Sequence, residues 1–125
     1  MLRCGRWLAD AAAVVLILVT AGSRDEAERL GEGLVDARLA ACGSVIPTVH
    51  SFYHWEGKLQ REHEALLLVK TSAARAAQAQ EYLREHHTYE LPEILQVDVS
   101  GGSEPYLSWL LGEVQGSDII PATTE

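Results

Sequence analysis

The side chains best suited to binding a ligand are concentrated between residues 86 and 93. His86 and His87 are adjacent, and Glu90 and Glu93 follow them. Neutral imidazole binds copper, zinc and nickel, and carboxylates can complete the coordination of such an ion. Neighbouring residues of a helix point about 100° apart, so both histidines reach one ion only if the helix has ended there or if another subunit supplies a ligand. The alternative is a hydrated helix end, where the helix dipole favours protonated histidine.

The other histidines and cysteines are weaker candidates for chemistry. His50, His54 and His63 lie on predicted strands, where a lone histidine is typical of a surface or an interface. Cys42 lies near a predicted helix C-terminus, which does not activate a thiol, so packing is the favoured interpretation. The chain has no nucleophile-elbow, P-loop, dinucleotide-binding or His-Glu-x-x-His motif. We therefore expect a protein that is not an enzyme.

Length and composition are those of one globular domain. The chain has 125 residues, of which 47% are hydrophobic and 22% charged. We expect a flexible tail over residues 1–10, the domain over 11–115 and a C-terminal tail over 116–125. The net charge of −8 argues against nucleic acid as a partner, because phosphate binding needs clustered basic residues.

The N-terminal region allows two interpretations. Arg3 and Arg6 precede the apolar run Ala11–Val19, and small residues follow, which is the pattern of a short signal peptide over residues 1–22. The same run is also typical of a buried central strand, and we favour the strand. It is too short to span a membrane. With only two cysteines and no expected framework disulfide, a cytoplasmic location is the simpler expectation.

Hydrophobic periodicity predicts the order βαββαβ followed by a last helix. Ser23 and Glu26 form a capping box for the first helix, whose apolar stripe continues towards Cys42. A long hairpin should turn at 56–57, and Pro47 should lie at a bulge or on an edge strand. Two βαβ halves in one sheet give the α+β, ferredoxin-like arrangement. Right-handed crossovers place both helices on one face of the sheet, so the open face predicts self-association.

Several short motifs occur in the order found in one known family. They are Ala37-Arg38-Leu39-Ala40-Ala41-Cys42, Tyr53-His54-Trp55-Glu56-Gly57-Lys58, Lys70-Thr71, His87-Thr88-Tyr89-Glu90-Leu91-Pro92-Glu93-Ile94 and Tyr106-Leu107-Ser108-Trp109-Leu110. Over most of the domain the chain resembles the CutA family of divalent-cation tolerance proteins. The resemblance implies a ferredoxin-like homotrimer connected with tolerance of copper or another divalent cation. It also implies an aromatic-lined cleft between subunits, formed by Trp55, Lys70, Tyr89, Glu90 and Glu93.

The chain departs from this family at two positions. Thr88 replaces a common proline, and Val19 replaces a cysteine that some bacterial members are thought to use as a metal ligand. Without that thiolate, tight binding of Cu(I) is not expected. The resulting hypothesis is a homotrimer that binds Cu(II) or another divalent cation weakly through His86 and His87. The alternative is a trimer similar to the PII signalling proteins, which binds a small ligand or a partner protein at its subunit clefts.

Overall fold

The chain folds into a four-stranded sheet with two helices on one face and a third helix at one end. The computed structural model describes the backbone of residues 13–123 and the side chains of residues 13–115. The elements are β1 (Val14–Ala21), α1 (Arg24–Asp36), β2 (Cys42–Trp55), β3 (Lys58–Ser72), α2 (Ala73–His86), β4 (Ile94–Val99) and α3 (Glu104–Thr123). The predicted N-terminal tail lies outside the described residues. Helix α3 continues through residues 116–123, which the sequence had suggested to be a tail.

The sheet confirms the predicted ferredoxin-like arrangement. Its strand order is β2-β3-β1-β4, and every neighbouring pair is antiparallel. Most of the apolar run that also resembled a signal peptide lies in β1, a central strand whose Ile17 pairs with Val69 on one side and Gln96 on the other. On the helix-covered face, Ile17 packs in one core with Leu30 of α1 and Leu83 of α2.

Serine caps begin the first two helices, and the cap at Ser23 was predicted. Ser23 Oγ accepts a hydrogen bond of 3.1 Å from the Glu26 amide, and Ser72 Oγ accepts one of 3.2 Å from the Arg75 amide. Each bond satisfies a backbone donor that has no partner inside the helix. The caps therefore fix where β1 and β3 give way to helix.

The predicted end of the first helix was wrong by about one and a half turns. Helix α1 ends at Asp36, and Cys42 already belongs to β2. The chain reverses at Arg38, whose φ is 62°, and the amides of Leu39 and Ala40 both bond to the carbonyl of Leu34. The apolar spacing of the alanines continues through this reversal, so periodicity alone did not reveal the end of the helix.

The long hairpin forms as predicted, including its irregularity near Pro47. Glu56 and Gly57 occupy the turn with φ values of 53° and 80°, the left-handed region that two-residue hairpin turns require. Strand β2 lies at the edge of the sheet, and its pairing with β3 shifts between Ile46 and Val49. A proline there removes a donor that the bulge leaves unused.

The face of the sheet opposite α1 and α2 is only partly covered. Helix α3 packs Leu110 and Val114 against Val14 at one end. The rest, which we call the open face, carries Leu16, Leu18, Leu66, Leu68, Leu95 and Val97. Leu95 and Val97 of β4 are 54% and 46% exposed. No helix within residues 13–123 combines the length and the hydrophobicity that a membrane crossing requires.

Candidate functional site

The last residue of α2, His86, presents one free ring nitrogen to solvent. Its Nδ1 lies 2.8 Å from the carbonyl oxygen of Tyr82, and its ring stacks on the Tyr82 ring at 3.9 Å. A carbonyl only accepts hydrogen bonds, so in the neutral ring Nδ1 carries the proton and Nε2 carries the lone pair. Because the residue is exposed, this lone pair is available to an incoming ligand.

The neighbouring His87 has the opposite surroundings, since its side chain is fully buried. Its Nε2 lies 2.7 Å from the carbonyl oxygen of Thr20, and its Nδ1 accepts a 3.0 Å hydrogen bond from the amide of Tyr89. Both nitrogens of the neutral ring are therefore occupied. His86 and His87 engage different partners, and their joint role as metal ligands stays a prediction.

Among the described residues, the Glu26 carboxylate lies near these histidines, with its Oε2 3.6 Å from His87 Nδ1, but no complete set of ligands surrounds them. Val19 is fully buried in the core beneath α1 and α2, so this position holds an apolar side chain and supplies no ligand. Within the described part of the chain, no three His, Cys, Asp or Glu side chains are grouped closely enough to hold a metal ion. A complete coordination shell would need water, a rearrangement or a second copy of the chain.

A carboxylate from α1 fixes the segment that carries His87 and Tyr89. Glu26 accepts hydrogen bonds from the Thr88 amide at 2.9 Å, from the Thr88 hydroxyl at 3.0 Å and from the Gly22 amide at 3.3 Å. Burial alone would raise the pKa of Glu26, but the hydrogen bonds from Thr88, the neighbouring His87 and the bond from Gly22 together outweigh it, and the pKa lies below its ordinary value. A proline at position 88 could make neither Thr88 bond, so the departure from the family pattern is matched by local hydrogen bonding.

Four of the five residues predicted for a cleft do line one cavity. The cavity has a volume of about 700 Å³ and lies between the hairpin and the segment 89–93. The predicted Trp55, Tyr89, Glu90 and Glu93 are joined by residues that the sequence analysis did not select: Thr20, Ser51, Phe52, Tyr53, Glu62, Glu64, Leu91 and Pro92. We call this cavity the acidic cleft.

Glu64 is the most enclosed carboxylate of the acidic cleft. It is only 6% exposed, and the Tyr89 hydroxyl donates a 2.8 Å hydrogen bond to its Oε2. Burial and the neighbouring Glu64 carboxylate raise the pKa of Tyr89, so the phenol stays protonated and remains a donor. Glu64 makes no ion pair with any residue that the structure describes. The alternation Glu62, Glu64, Leu66 along β3 was the sequence signal that placed both carboxylates on one face.

The fifth predicted cleft residue, Lys70, lies elsewhere in the protomer. Its Nζ donates a 2.7 Å hydrogen bond to Ser44 Oγ and lies 3.8 Å from Cys42 Sγ. Lys70 is six positions from Glu64 on β3, which corresponds to roughly 20 Å at the usual rise of a strand. A contribution of Lys70 to the acidic cleft would need a second subunit and stays a prediction.

Comparisons with known proteins agree with the fold and the motifs. The family described as CutA1 divalent ion tolerance protein matches residues 15–113. The chain is 41% identical over 96 residues to a divalent-cation tolerance protein CutA from Pectobacterium atrosepticum, covering 77% of this chain and 87% of that one. The crystal structure of CutA from Xylella fastidiosa superposes with a TM-score of 0.79 at 40% identity, covering 81% of this chain and 97% of that one.

A plant relative is considerably longer than this chain. Protein CutA, chloroplastic, from Arabidopsis thaliana is 35% identical over 96 residues, which are 77% of this chain but only 53% of that protein. On the match of fold, motifs and most of the sequence, the chain belongs to the CutA1 divalent ion tolerance protein family.

Proposed function

We propose that this protein is a non-enzymatic cation-response protein that acts as a homotrimer and binds Cu(II) or a similar divalent ion weakly. The observation that carries the proposal is the exposed imidazole of His86, whose Nδ1 contacts the Tyr82 carbonyl and whose Nε2 is left for a ligand, in a chain of this family. Imidazole nitrogen is a good ligand for copper, zinc and nickel. Divalent-cation tolerance in the names of the relatives supports the same class of ligand.

We expect weak binding because the other candidate ligands are already hydrogen-bonded or absent. His87 can join His86 only after its Nε2 leaves the Thr20 carbonyl and its Nδ1 leaves the Tyr89 amide. Breaking those bonds subtracts from the binding free energy. Val19 supplies no thiolate, which favours Cu(II) over Cu(I). The further ligands would come from water or from another subunit.

The open face supports the proposed assembly. Leu95 and Val97 of β4 are about half exposed and continue an apolar surface formed by β1 and β3. A contiguous apolar surface of this kind is typical of a protein interface. Native mass spectrometry tests the homotrimer directly, and a monomer at micromolar concentration would contradict it.

Calorimetric titration of the purified oligomer with Cu(II) tests the site. We expect His86→Ala to weaken binding by on the order of tenfold or more, because it removes a direct ligand. His54→Ala, which removes an exposed imidazole on the hairpin, is the matched control and should leave the affinity for Cu(II) unchanged. His87→Ala reports whether the buried ring takes part, with circular dichroism to check folding. Unchanged binding after His86→Ala would remove this residue from the proposal.

The proposed compartment is the cytoplasm. Cys4 and Cys42 are the only cysteines, and the sequence predicts no framework disulfide between them. Fractionation of cells that express the natural gene would test this, and recovery of the protein outside the cytoplasm would contradict it.

A second candidate function is the binding of a small organic ligand in the acidic cleft. Glu64 is 6% exposed yet has no basic partner among the described residues, whereas buried charges are normally paired. The partner that fits is a cation, and the aromatic walls formed by Phe52, Tyr53 and Trp55 suit an organic ammonium group. The cleft carboxylates disfavour the phosphates of a nucleotide.

Thermal unfolding with added ligands separates the two candidates. In the organic-ligand case, 1,4-diaminobutane should raise the melting temperature, while 1,4-butanediol and ATP should not. Glu64→Gln should abolish the diamine effect, and Glu32→Gln on the exposed surface of α1 is its control. Stabilisation by Cu(II) without any response to the diamine would leave only the metal proposal.

A further inference from the structure

Two histidines that belong to neither candidate site face each other across the hairpin. His50 of β2 pairs directly with His63 of β3, and their ring centroids lie 4.3 Å apart with the ring planes tilted by 47°. Both residues are exposed. Neither imidazole ring makes a hydrogen bond or an ion pair with any residue that the structure describes. Their nitrogens are therefore free to bind an ion.

The position of the pair follows from the turn. The two-residue turn at 56–57 pairs Trp55 with Lys58, and counting back along both strands brings His50 opposite His63. Directly opposed residues of antiparallel strands have Cβ atoms about 4.5–5.5 Å apart and point to the same face. The strands therefore hold both imidazoles on one surface in advance of binding, which lowers the entropic cost of closing a chelate.

The geometry suits a divalent transition metal. An ion that binds two imidazoles at about 2.0–2.1 Å requires nitrogens roughly 3 Å apart. Rings with centroids 4.3 Å apart can meet this requirement by rotation about their side-chain bonds. Arg61 lies on the same face, but its guanidinium is held over the Phe52 ring at 5.7 Å from the centroid.

We propose that His50 and His63 form a two-imidazole site for a divalent transition metal such as Cu(II), Ni(II) or Zn(II), with water completing the coordination. This site deepens the proposed function, on which it rests for the class of ligand. It is separate from the end of α2 and uses different residues. It needs no rearrangement of buried hydrogen bonds, in contrast to His87.

Matched histidine variants of the intact oligomer test the pair by titration with Ni(II) and Cu(II). We expect His50→Ala and His63→Ala each to weaken one binding event by on the order of tenfold or more, and the double variant to lose no more than either single one. His54→Ala is the control, because His54 lies four residues after His50 on the same face of β2 but is opposed by Leu59. Leu59→His should add a second, similar binding event by supplying the missing partner.

Paramagnetic broadening by substoichiometric Cu(II) locates the ion independently of affinity. The ring protons of His50 and His63 should broaden together in the NMR spectrum, before those of His54. Binding that is lost in His86→Ala but unchanged in the His50 and His63 variants would overturn this inference and leave the proposed function intact. Binding that is lost only in the His50 and His63 variants would support the two-histidine site and remove His86 from the proposed function. Equal weakening by His54→Ala would also overturn the pair, because it would indicate unspecific binding to surface imidazoles.

Discussion

The contact between Glu26 and Thr88 predicts a large effect from a small substitution, Glu26→Gln. Glu26 is 8% exposed and accepts both the amide and the hydroxyl of Thr88, together with the Gly22 amide. Glutamine has nearly the same shape but only one acceptor oxygen. Its amide group would face hydrogen-bond donors, so at least one of them loses its partner.

The expected loss is about 2 kcal/mol in the free energy of unfolding. Hydrogen bonds to a charged group contribute about 1.5–3 kcal/mol each, and glutamine retains one weakened acceptor. Relief from burying a charge offsets part of the loss. Glu28→Gln is the matched control in the same helix, because its ion pair with Arg24 is 3.7 Å long and exposed. We expect the control to cost at most about 0.5 kcal/mol.

The difference between wild type and Glu26→Gln should depend on pH with a defined sign. The folded pKa of Glu26 lies below its ordinary value because the bonds from Thr88, with His87 and Gly22, together outweigh burial. A group of this kind contributes its full stability above the unfolded pKa of about 4.3, and loses it as the pH falls through the folded pKa. The gap should therefore be constant from about pH 7 to about pH 5 and should narrow at lower pH.

Urea denaturation at one fixed protomer concentration measures this gap, since assembly makes apparent stability depend on concentration. Two results would refute the reasoning. A gap at pH 7 no larger than that of Glu28→Gln would show that the hydrogen bonds contribute little. A gap that stays constant down to about pH 3 would show that packing, and not the charge of Glu26, causes the loss.

Three further predictions concern other parts of the fold. Gly33→Ala would place a Cβ against the hydroxyl end of Tyr82, and we expect the resulting strain of about 1–3 kcal/mol to outweigh the gain of about 1 kcal/mol that alanine brings to a helix interior, as urea titration would show. Displacing the Tyr82 ring should also change Cu(II) binding at His86, which stacks on it; unchanged calorimetry would contradict this link. Ser72→Ala should lower the free energy of unfolding by about 1 kcal/mol through loss of the cap, as urea titration would show. Glu56→Asn should raise the melting temperature through a gain of about 0.5 kcal/mol, because asparagine tolerates positive φ better; a lower value would contradict this.

Local signals in the sequence predicted most of the fold because the interactions that they encode form between residues close together in the chain. The Ser23 cap, the turn at Gly57 and the irregularity at Pro47 each act within a few residues. The end of α1 was missed because no local signal marks it. Arg38 adopts a left-handed conformation without glycine, and its guanidinium is held by Glu113, 75 positions away. A contact of that sequence separation leaves no local pattern.

The candidate sites were predicted less completely, because long-range contacts decide which side chains stay available. Adjacent histidines look equivalent in the sequence, yet Thr20 occupies a nitrogen of His87 while the Nε2 of His86 remains free. No spacing rule identifies a carbonyl 67 positions away as a hydrogen-bond partner. The pairing of His50 with His63 was different, because counting from the turn would have predicted it.

The bulge near Pro47 determines which side chains of β2 reach each face. Beyond the bulge, Val45 pairs with Leu67 and packs towards the helices, while Ile46 pairs with Leu66 on the open face. If the pairing register of Val45 and Ile46 continued unchanged to the hairpin tip, His50 would lie opposite Glu62 and not opposite His63. A shift of one residue exchanges every side chain between faces, so a strand without the bulge could not satisfy both the core and the tip. The irregularity therefore allows one strand to pack Val45 in the core and still bring two imidazoles together on the hairpin.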